Sequence, residues 1–561
     1  MQNVSLRRAL VLATLAALGG CASLPREQGL SEIHALVDRR SGGEHTWTTA
    51  QDSEAKTAAE VQVILSQPLS ADAAVQIALL RNPRMRSEYA RLGIAEGDVY
   101  EASRIGNPTL SLTALHHSGE PTKFEGGLTV GFADLLMLPA RKRLAAGEYA
   151  RTQQSIGAAI LNLATDTRAA WFGCVSAQQL ATMREAVAAA AQTSADLAAQ
   201  FLQAGNISVL QSKLEQAAAT QARLQAIRAG AEAARARSTL SALMGLPAQS
   251  TPWTATDRLP APPAHDDDAA TLVPLARQQR LDLIAAQREA ALLEESLDVT
   301  KRYRLLGKVD VGVAGERETD RTKLYGPSLS LQLPIFNQGQ GAVARAGAQL
   351  DAAQARVQSL ELEIDSTVRL GVERVAAARK IAEDYRTALI PQREAIVART
   401  QDQQNYMLVG VFELLLAKQQ EFDAYQGYLE AVRDYWLARV DLVRAVGAHL
   451  PSDGASTEST VGPDEIVHPP PDTSMQHMHH DGMTMPGMDM KSGERAASEE
   501  HGLSKEHAGA NAPQDHTGHG AQNRPGTTTP ASPSPKHDAH KHPNDTSPKD
   551  GDSHDPHGDT P

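Results

Sequence analysis

A short alternating strand that runs into a very long helical pattern limits this chain to few folds. Residues 328–333 alternate leucine with serine or glutamine, which predicts a strand with one apolar and one polar face. The turn 334–341 follows, and apolar residues then recur at steps of three and four, as Val343, Ala346, Leu350, Ala353, Val357, Leu360 and Ile364. Such a heptad seam is typical of helices packed side by side. We therefore expect a mostly helical protein with a small β part.

The same order of elements occurs twice along the chain. Two alternating strands lie near 109–132 and again near 305–333. Each pair precedes a helical tract of about sixty residues, expected over 140–203 and 341–406, with a kink expected at Pro391. A glycine turn at Gly205 or Gly410 and a further helix complete each half. We predict these segments: a signal peptide 1–20, a linker 21–68, a first repeat 69–247, a linker 248–270, a second repeat 271–451 and a disordered tail 452–561.

The N-terminus has the pattern of a secretory signal. Arg7 and Arg8 precede an apolar run over 9–18, which is too short to span a bilayer as a helix. The small residues before Cys21 resemble a bacterial lipobox, which implies cleavage before Cys21 and lipid attachment at its thiol. The same resemblance favours the outer membrane of a Gram-negative bacterium, because no aspartate follows Cys21. The other cysteine, Cys174, lies in a helical pattern and is expected to be buried.

The last 110 or so residues differ from the rest in composition. From 452 onward the chain has no aromatic residue and is rich in Pro, Ser, Thr, Gly, Asp and His, which predicts disorder. Most of the formal net charge of -13 belongs to this tail, and the chain has no basic cluster with aromatics that would bind nucleic acid. Thioethers select Cu(I) and Ag(I), whereas imidazole suits Cu(II) or Zn. The tail is therefore a candidate for labile metal binding, through His477, Met478, His479, His480, Met483, Met485, Met488 and Met490; a solvated spacer is the alternative.

Four two-faced strands cannot close a barrel, and an open sheet edge in a bilayer leaves costly unpaired backbone groups. The strands have about the nine to eleven residues that cross a bilayer at a tilt. Three chains would supply twelve strands, above the eight at which single-wall barrels begin. We therefore expect a homotrimer, with soluble hairpins on a coiled-coil stalk as the alternative.

The chain resembles the outer-membrane factors of tripartite efflux systems, the TolC family, in its lipoprotein branch that serves heavy-metal pumps. The matching features are the 69–79 helix start, Asn82-Pro83, the Pro334-to-Gly339 motif, both glycine turns and the duplication. The resemblance implies a trimer in which a long α-helical coiled-coil barrel continues a transmembrane β-barrel built from four strands per chain. Besides outer-membrane lipid, it implies three kinds of partner: two further copies of the chain, a periplasmic adaptor (membrane fusion protein) and an inner-membrane RND-type pump.

The resemblance also suggests where partners dock. The family's periplasmic tip lies at the turns that match Ala204, Gly205, Asn206 and Ile207 and, in the second half, Val409, Gly410 and Val411. Glycine is expected to permit the tight reversal at each. Many members have an acidic constriction near the tip, for which Glu413 is a weak candidate here. The basic run 141–143 is expected at the membrane surface or on a solvated face.

The sequence thus favours a passive outer-membrane channel that conducts heavy-metal ions, Cu or Ag ahead of Zn, Co or Cd. A drug or protein export duct of the same fold is one alternative. A lipid-anchored periplasmic metal-binding protein without a channel is another. We find no nucleophile–base pair, phosphate loop or ordered metal triad, and therefore expect no enzymatic activity and no resident cofactor.

Overall fold

The computed structural model describes residues 26–43, 45–47, 54–116, 118, 122–247, 252–318, 320, 322–453, 459–460, 462 and 465–466. The elements are α1 (Arg26–Ser41), α2 (Glu54–Leu65), α3 (Ala71–Arg81), α4 (Pro83–Ala102), β1 (Thr109–Leu115), β2 (Lys123–Gly131), α5 (Phe132–Gln203), α6 (Val209–Leu243), α7 (Ala269–Gln279), α8 (Leu281–Tyr303), β3 (Val309–Arg317), β4 (Lys323–Leu331), α9 (Gln340–Asp384), a π-helical turn (Tyr385–Leu389), α10 (Ile390–Asn405) and α11 (Val411–Val446). From α3 onward the two halves have the same order of elements.

The heptad seam of α9 is buried as predicted. Ala346, Ala353 and Ile364 are buried and the other four seam positions are half-buried, while most positions between them are exposed. The irregularity expected at Pro391 is present as the π-helical turn directly before it, where the Ile390 N–H donates to the Tyr385 carbonyl. Proline supplies no N–H and its ring excludes the regular i−4 contact, so the helix widens by one residue just upstream.

The strands form one antiparallel sheet in the order β1-β2-β3-β4. Its register places the predicted apolar positions of all strands on a common face: Leu110 pairs with Leu128, and Leu128 with Val313. Val130, Val311 and Leu329 form the next row of that face. Period-two patterning predicted these faces correctly, because the pleat alternates side chains whatever the neighbouring strand.

The first long helix begins two turns earlier than expected. We predicted a helical start at residue 140, but α5 begins at Phe132 directly where β2 ends, and Pro139 lies inside it. Asp134 in its first turn favours a helix N-terminus. The missing Pro139 N–H removes one backbone hydrogen bond from this exposed segment, and the rest of the helix continues.

Both predicted linkers are folded where the structure describes them. Within 21–68, α1 and α2 form, and α1 buries Ile33 and Val37 against a cluster that includes Ile156 of α5. Within 248–270, Trp253 and Leu259 are buried in the central core. These corrections have one cause: a few well-placed apolar side chains secure a polar segment once a neighbouring surface exists for them to cover.

The start of the predicted tail also packs on the body. The Thr460 N–H and hydroxyl both donate to the Leu259 carbonyl, at 3.0 and 2.8 Å. Ile466 is buried in the same central core, and Glu465 pairs with Arg258 at 2.8 Å. The described residues of 459–466 therefore pack on the folded body, although they lie past residue 451.

A charge network around the buried Arg439 joins the segment between the halves to the end of the second half. The Asp266 carboxylate accepts hydrogen bonds from Arg379 at 2.5 and 2.8 Å and from the Tyr435 hydroxyl at 2.7 Å. Arg439, which is 3% exposed, contacts both Asp266 at 3.2 Å and Asp453 at 2.7 Å. Burial alone would raise the pKa of Asp266, but the hydrogen bonds from Arg379 and Tyr435 and the guanidinium charges outweigh it and lower that pKa.

Candidate functional site: the tip turns and the exposed sheet

The first tip turn, between α5 and α6, has the geometry predicted for it. Gly205 has a φ of +75°, and the Asn206 N–H donates to the Phe201 carbonyl at 2.8 Å while the Gly205 N–H donates to Leu202 at 3.0 Å. This pair of hydrogen bonds defines a Schellman motif, which requires a left-handed residue that glycine supplies without strain. Ser208 then caps α6, its hydroxyl accepting from the Gln211 N–H at 3.1 Å.

The second tip turn, between α10 and α11, has the same geometry, but our prediction for its glycine is wrong. The left-handed residue is Met407, with a φ of +58°, and the Leu408 N–H closes the Schellman hydrogen bond to Gln403 at 2.9 Å. Gly410 has extended backbone, φ −78° and ψ 159°, and occupies the N-cap position that Ser208 has in the first turn. Met407 is therefore the structural counterpart of Gly205.

Both turns expose apolar side chains. Tyr406, Met407 and Leu408 are 79%, 92% and 73% exposed in the second turn, and Val209 and Leu210 are 62% and 70% exposed after the first. A left-handed methionine with its side chain almost fully in solvent is costly to the isolated chain. Such clusters mark contact surfaces more often than solvated ones.

An aromatic contact brings the two turns together. The rings of Phe201 and Phe412 meet edge to face with centroids 6.1 Å apart. Above this contact lies a groove between α5, α6 and α11. Its apolar lining is Val187, Ala190, Ala191, Leu214, Ala218, Phe412, Leu415, Leu416 and Phe422.

All three helices also contribute polar residues to this groove. Glu215 accepts hydrogen bonds from Ser194 at 2.9 Å and from Gln211 at 3.0 Å. Glu413 lies in the first turn of α11 and is exposed, without an ion pair to any residue that the structure describes. The sequence identified the tip turns but missed Tyr406, Met407 and Leu408, whose significance depends on exposure rather than on composition.

Most apolar side chains on the common face of the sheet are exposed. The exposed apolar residues on its strands include Leu110, Leu112, Leu128, Val130, Val311, Val313, Leu329 and Leu331. The opposite face carries Thr109, Ser111, Ser328 and Ser330 with several glycines. β1 and β4 each pair on one side only, so the sheet has two open edges.

Several predicted site residues lie outside the described residues: Cys21 and the eight tail ligands from His477 to Met490. Among the residues that the structure describes, no group of three or more His, Cys, Asp or Glu side chains is arranged to hold a metal ion. No helix in that part of the chain is both long enough and apolar enough to span a membrane. Cys174 is buried, as expected, and burial raises the pKa of its thiol.

Comparison with known proteins supports the resemblance drawn from the sequence. The chain is 24% identical over 402 residues to the cobalt-zinc-cadmium resistance protein CzcC of Cupriavidus metallidurans, covering 68% of this chain and 90% of that protein. Among solved structures it is similar to the outer-membrane channel OprN (TM-score 0.56, 17% identity, 68% of this chain and 90% of that one). It is likewise similar to the outer membrane protein VceC of Vibrio cholerae (TM-score 0.55, 14% identity, 67% and 96%). No protein-family model matches. The chain has the fold of the TolC-family outer-membrane channels.

Proposed function

We propose that this chain, with its TolC-family fold, is the outer-membrane duct of a tripartite efflux system that exports heavy-metal ions. One observation carries the proposal: a sheet with an exposed apolar face and two open edges stands on a long helical body. An apolar face in water and unpaired strand edges are both unfavourable. A lipid bilayer covers the face, and further copies of the chain pair the edges.

The copy number follows from the strands. β2, β3 and β4 have nine residues each, the length that crosses a bilayer at a tilt. Three copies supply twelve strands, with β4 of one copy pairing with β1 of the next. The polar face of Thr, Ser and Gly then lines a water-filled lumen. Acyl chains on Cys21 would add a second attachment to the outer membrane.

The tip is the proposed docking site for the periplasmic adaptor. The exposed Tyr406, Met407 and Leu408, together with the apolar groove above Phe412, offer a surface suited to an amphipathic helical hairpin. An inner-membrane RND-type pump would supply the energy through that adaptor. Glu413 remains a weak candidate for a constriction residue.

Two lines of support point to metals but to different ions. The methionines and histidines of 477–490 suit Cu(I) and Ag(I), with Zn possible. The name of the relative CzcC instead specifies cobalt, zinc and cadmium. We retain copper or silver as the first expectation, and a panel of metals distinguishes the two sets.

The test is the tolerance of a strain that lacks this chain to copper, silver, zinc, cobalt, cadmium and a set of antibiotics. Sensitivity to one set of metals, restored by the full chain, identifies the exported ions. Sensitivity to antibiotics with unchanged metal tolerance would instead indicate a general drug or protein export duct of the same fold.

The role of the tail needs a truncation that leaves the body intact. A chain ending at Pro451 would remove Asp453, Thr460 and Ile466, which pack on the body, so the cut belongs after Ile466. A full-length variant with every Met and His of 477–490 changed to Leu and Gln tests the ligands alone. The matched control changes the scattered histidines of 516–557 to Gln. Equal metal tolerance of the strains that carry the full chain, the truncation and the two substituted variants would indicate that the tail is a spacer.

Conductance distinguishes the duct from a lipid-anchored metal-binding protein without a channel. The purified full chain, added to a planar bilayer, should give stable single-channel currents. Metal binding without any conductance would favour that alternative.

A further inference from the structure

The end of the sheet that joins the helices carries an unusual concentration of basic residues. Lys301 and Arg302 lie in the last turn of α8 and Arg304 directly follows the helix, five to eight residues before β3 begins, and all three are exposed. We call these three residues the junction cluster. None of them has a carboxylate partner among the described residues, whereas the nearby Lys308 pairs with Asp310 at 3.4 Å.

Other chain segments bring more positive charge to the helical side of the same end of the sheet. Lys142, in the third turn of α5 below β2, is also exposed and unpaired within the described part of the chain. Arg104, just before β1, has its guanidinium 4.7 Å from the Tyr100 ring centroid and donates to the Tyr100 hydroxyl at 3.1 Å. The neighbouring Arg143 is neutralised by Glu295 at 2.8 Å.

Exposed apolar side chains lie at the same end of the sheet as these basic residues. They are Ile105, Phe132, Leu135, Leu136, Leu305, Leu333, Ile335 and Phe336, and Phe336 is 97% exposed. The turn that carries Phe336 packs on the junction cluster: a Cβ at Gly339, whose φ is +78°, would lie 3.1 Å from the Arg304 Cβ. This contact joins the apolar turn that carries Phe336 to the junction cluster at the base of the sheet.

This surface has the chemistry of a bilayer interface. Apolar side chains that extend the lipid-facing side of a sheet enter the acyl boundary, and lysine or arginine just beyond them meets the headgroup phosphates. A phosphate oxygen matches the fork of an arginine guanidinium, as at Arg302 and Arg304. Four of these cations, Lys301, Arg302, Arg304 and Lys142, have no carboxylate partner among the described residues, and eight exposed apolar residues lie at the same end of the sheet.

We propose that the junction cluster, with Lys142 and Arg104, is a binding site for anionic phospholipid headgroups of the periplasm-facing leaflet. The site rests on the proposed function in one respect, namely that the sheet spans the outer membrane. It adds a lipid specificity: phosphatidylglycerol, with net charge, is favoured over phosphatidylethanolamine, which has none. The bound lipid fixes the depth at which the helical body leaves the membrane.

The experiment uses the full-length protein reconstituted in bilayers of phosphatidylglycerol and phosphatidylethanolamine with identical acyl chains. After detergent extraction, the ratio of the two lipids retained by the protein is measured. Each surface cation contributes up to about fivefold in binding of an anionic lipid at low salt, from roughly 1 kcal/mol per charge. We therefore expect phosphatidylglycerol to be enriched severalfold on the wild type, and the enrichment to fall between about 0.05 and about 0.5 M salt.

The test variant is Lys301→Gln/Arg302→Gln/Arg304→Gln, which should lose most of the enrichment. The matched control is Arg369→Gln/Arg374→Gln/Arg386→Gln, three exposed cations of the helical body, the nearest about 44 Å along α9 from its start. A charge-conserving variant, Arg302→Lys/Arg304→Lys, should keep most of the phosphatidylglycerol enrichment. Conductance of each variant shows that it folds and inserts.

A channel that conducts but retains both lipids equally would overturn the inference and leave the proposed function standing. Equal loss of enrichment in the junction and control variants would overturn it as well, because net charge rather than this surface would then be responsible. A chain that neither inserts nor conducts would overturn both.

Discussion

Replacing Asp266 by Asn should destabilise the contact between the 248–270 segment and the second half far more than its single lost charge suggests. The carboxylate is the shared acceptor of Arg379, Tyr435 and Arg439, and its side chain is 16% exposed. Asn keeps the size and one acceptor oxygen but removes the charge that balances two guanidinium groups. Arg439 is 3% exposed and, among the described residues, would retain Asp453 as its one carboxylate partner.

The size of the effect follows from this burial. Breaking a buried ion pair by removing one partner costs about 3–5 kcal/mol. Asp266 is partly accessible, so water compensates in part, and we expect about 3 kcal/mol. The control is Asp365→Asn: its partner Arg277 is 2.8 Å away, but the two side chains are 34% and 50% exposed. An exposed pair contributes about 0–1 kcal/mol.

The assay is thermal and denaturant unfolding of the detergent-solubilised full chain, followed by circular dichroism. Combining Asp266→Asn with Arg439→Met should cost less than the sum of the single changes, since a coupled pair has an interaction energy of about 1–3 kcal/mol. Equal stability of the Asp266→Asn and Asp365→Asn variants, or simple additivity in the double variant, would refute the reasoning.

The same carboxylate predicts that the stability of the protein decreases in acid. Folding lowers the pKa of Asp266 below its ordinary 3.8, despite burial, because Arg379 and Tyr435 bind the ionised form. The stabilisation that the ionised Asp266 gives the fold is therefore complete above the pKa that this carboxyl has in the unfolded chain. It is lost as the pH falls through the lower pKa that it has in the folded chain. The Asp266→Asn variant should lack this component of acid unfolding.

Three further changes test other parts of the structure. Burial lowers the pKa of His34 to about 4, so the stability that its neutral form gives the fold is complete above pH 6.5 and falls as the pH drops towards 4. The His34→Gln variant should therefore show a smaller difference in melting temperature between neutral and mildly acidic buffer. An unchanged difference would contradict this. Gly205→Ala should destabilise by about 1 kcal/mol and Met407→Gly should stabilise by a similar amount, measured by unfolding, because both positions are left-handed; shifts of the same sign would be inconsistent with that geometry. A chain ending at Pro451 should melt below one ending at Ile466, because only the longer one keeps the packed segment; identical melting would show that this segment adds nothing.

The sequence alone determined the features that depend on local periodicity. The alternation of 328–333 and the heptad steps of 343–364 predicted the sheet faces and the helix seam, because pleat and helix repeat fix which side chains share a face. The duplicated order of elements and the left-handed Gly205 were predictable for the same reason, as each is encoded within a few residues.

Only the tertiary structure decided the features that depend on distant partners. Trp253, Leu259 and Ile466 lie in polar segments that sequence reasoning assigned to a linker and a tail, and they are ordered because a core built from α5, α6 and α11 receives them. Met407 takes the left-handed position that we had assigned to Gly410, because the ends of two packed helices fix where the chain must reverse. Burial and helix-end geometry are properties of the assembled chain, and no local pattern contains them.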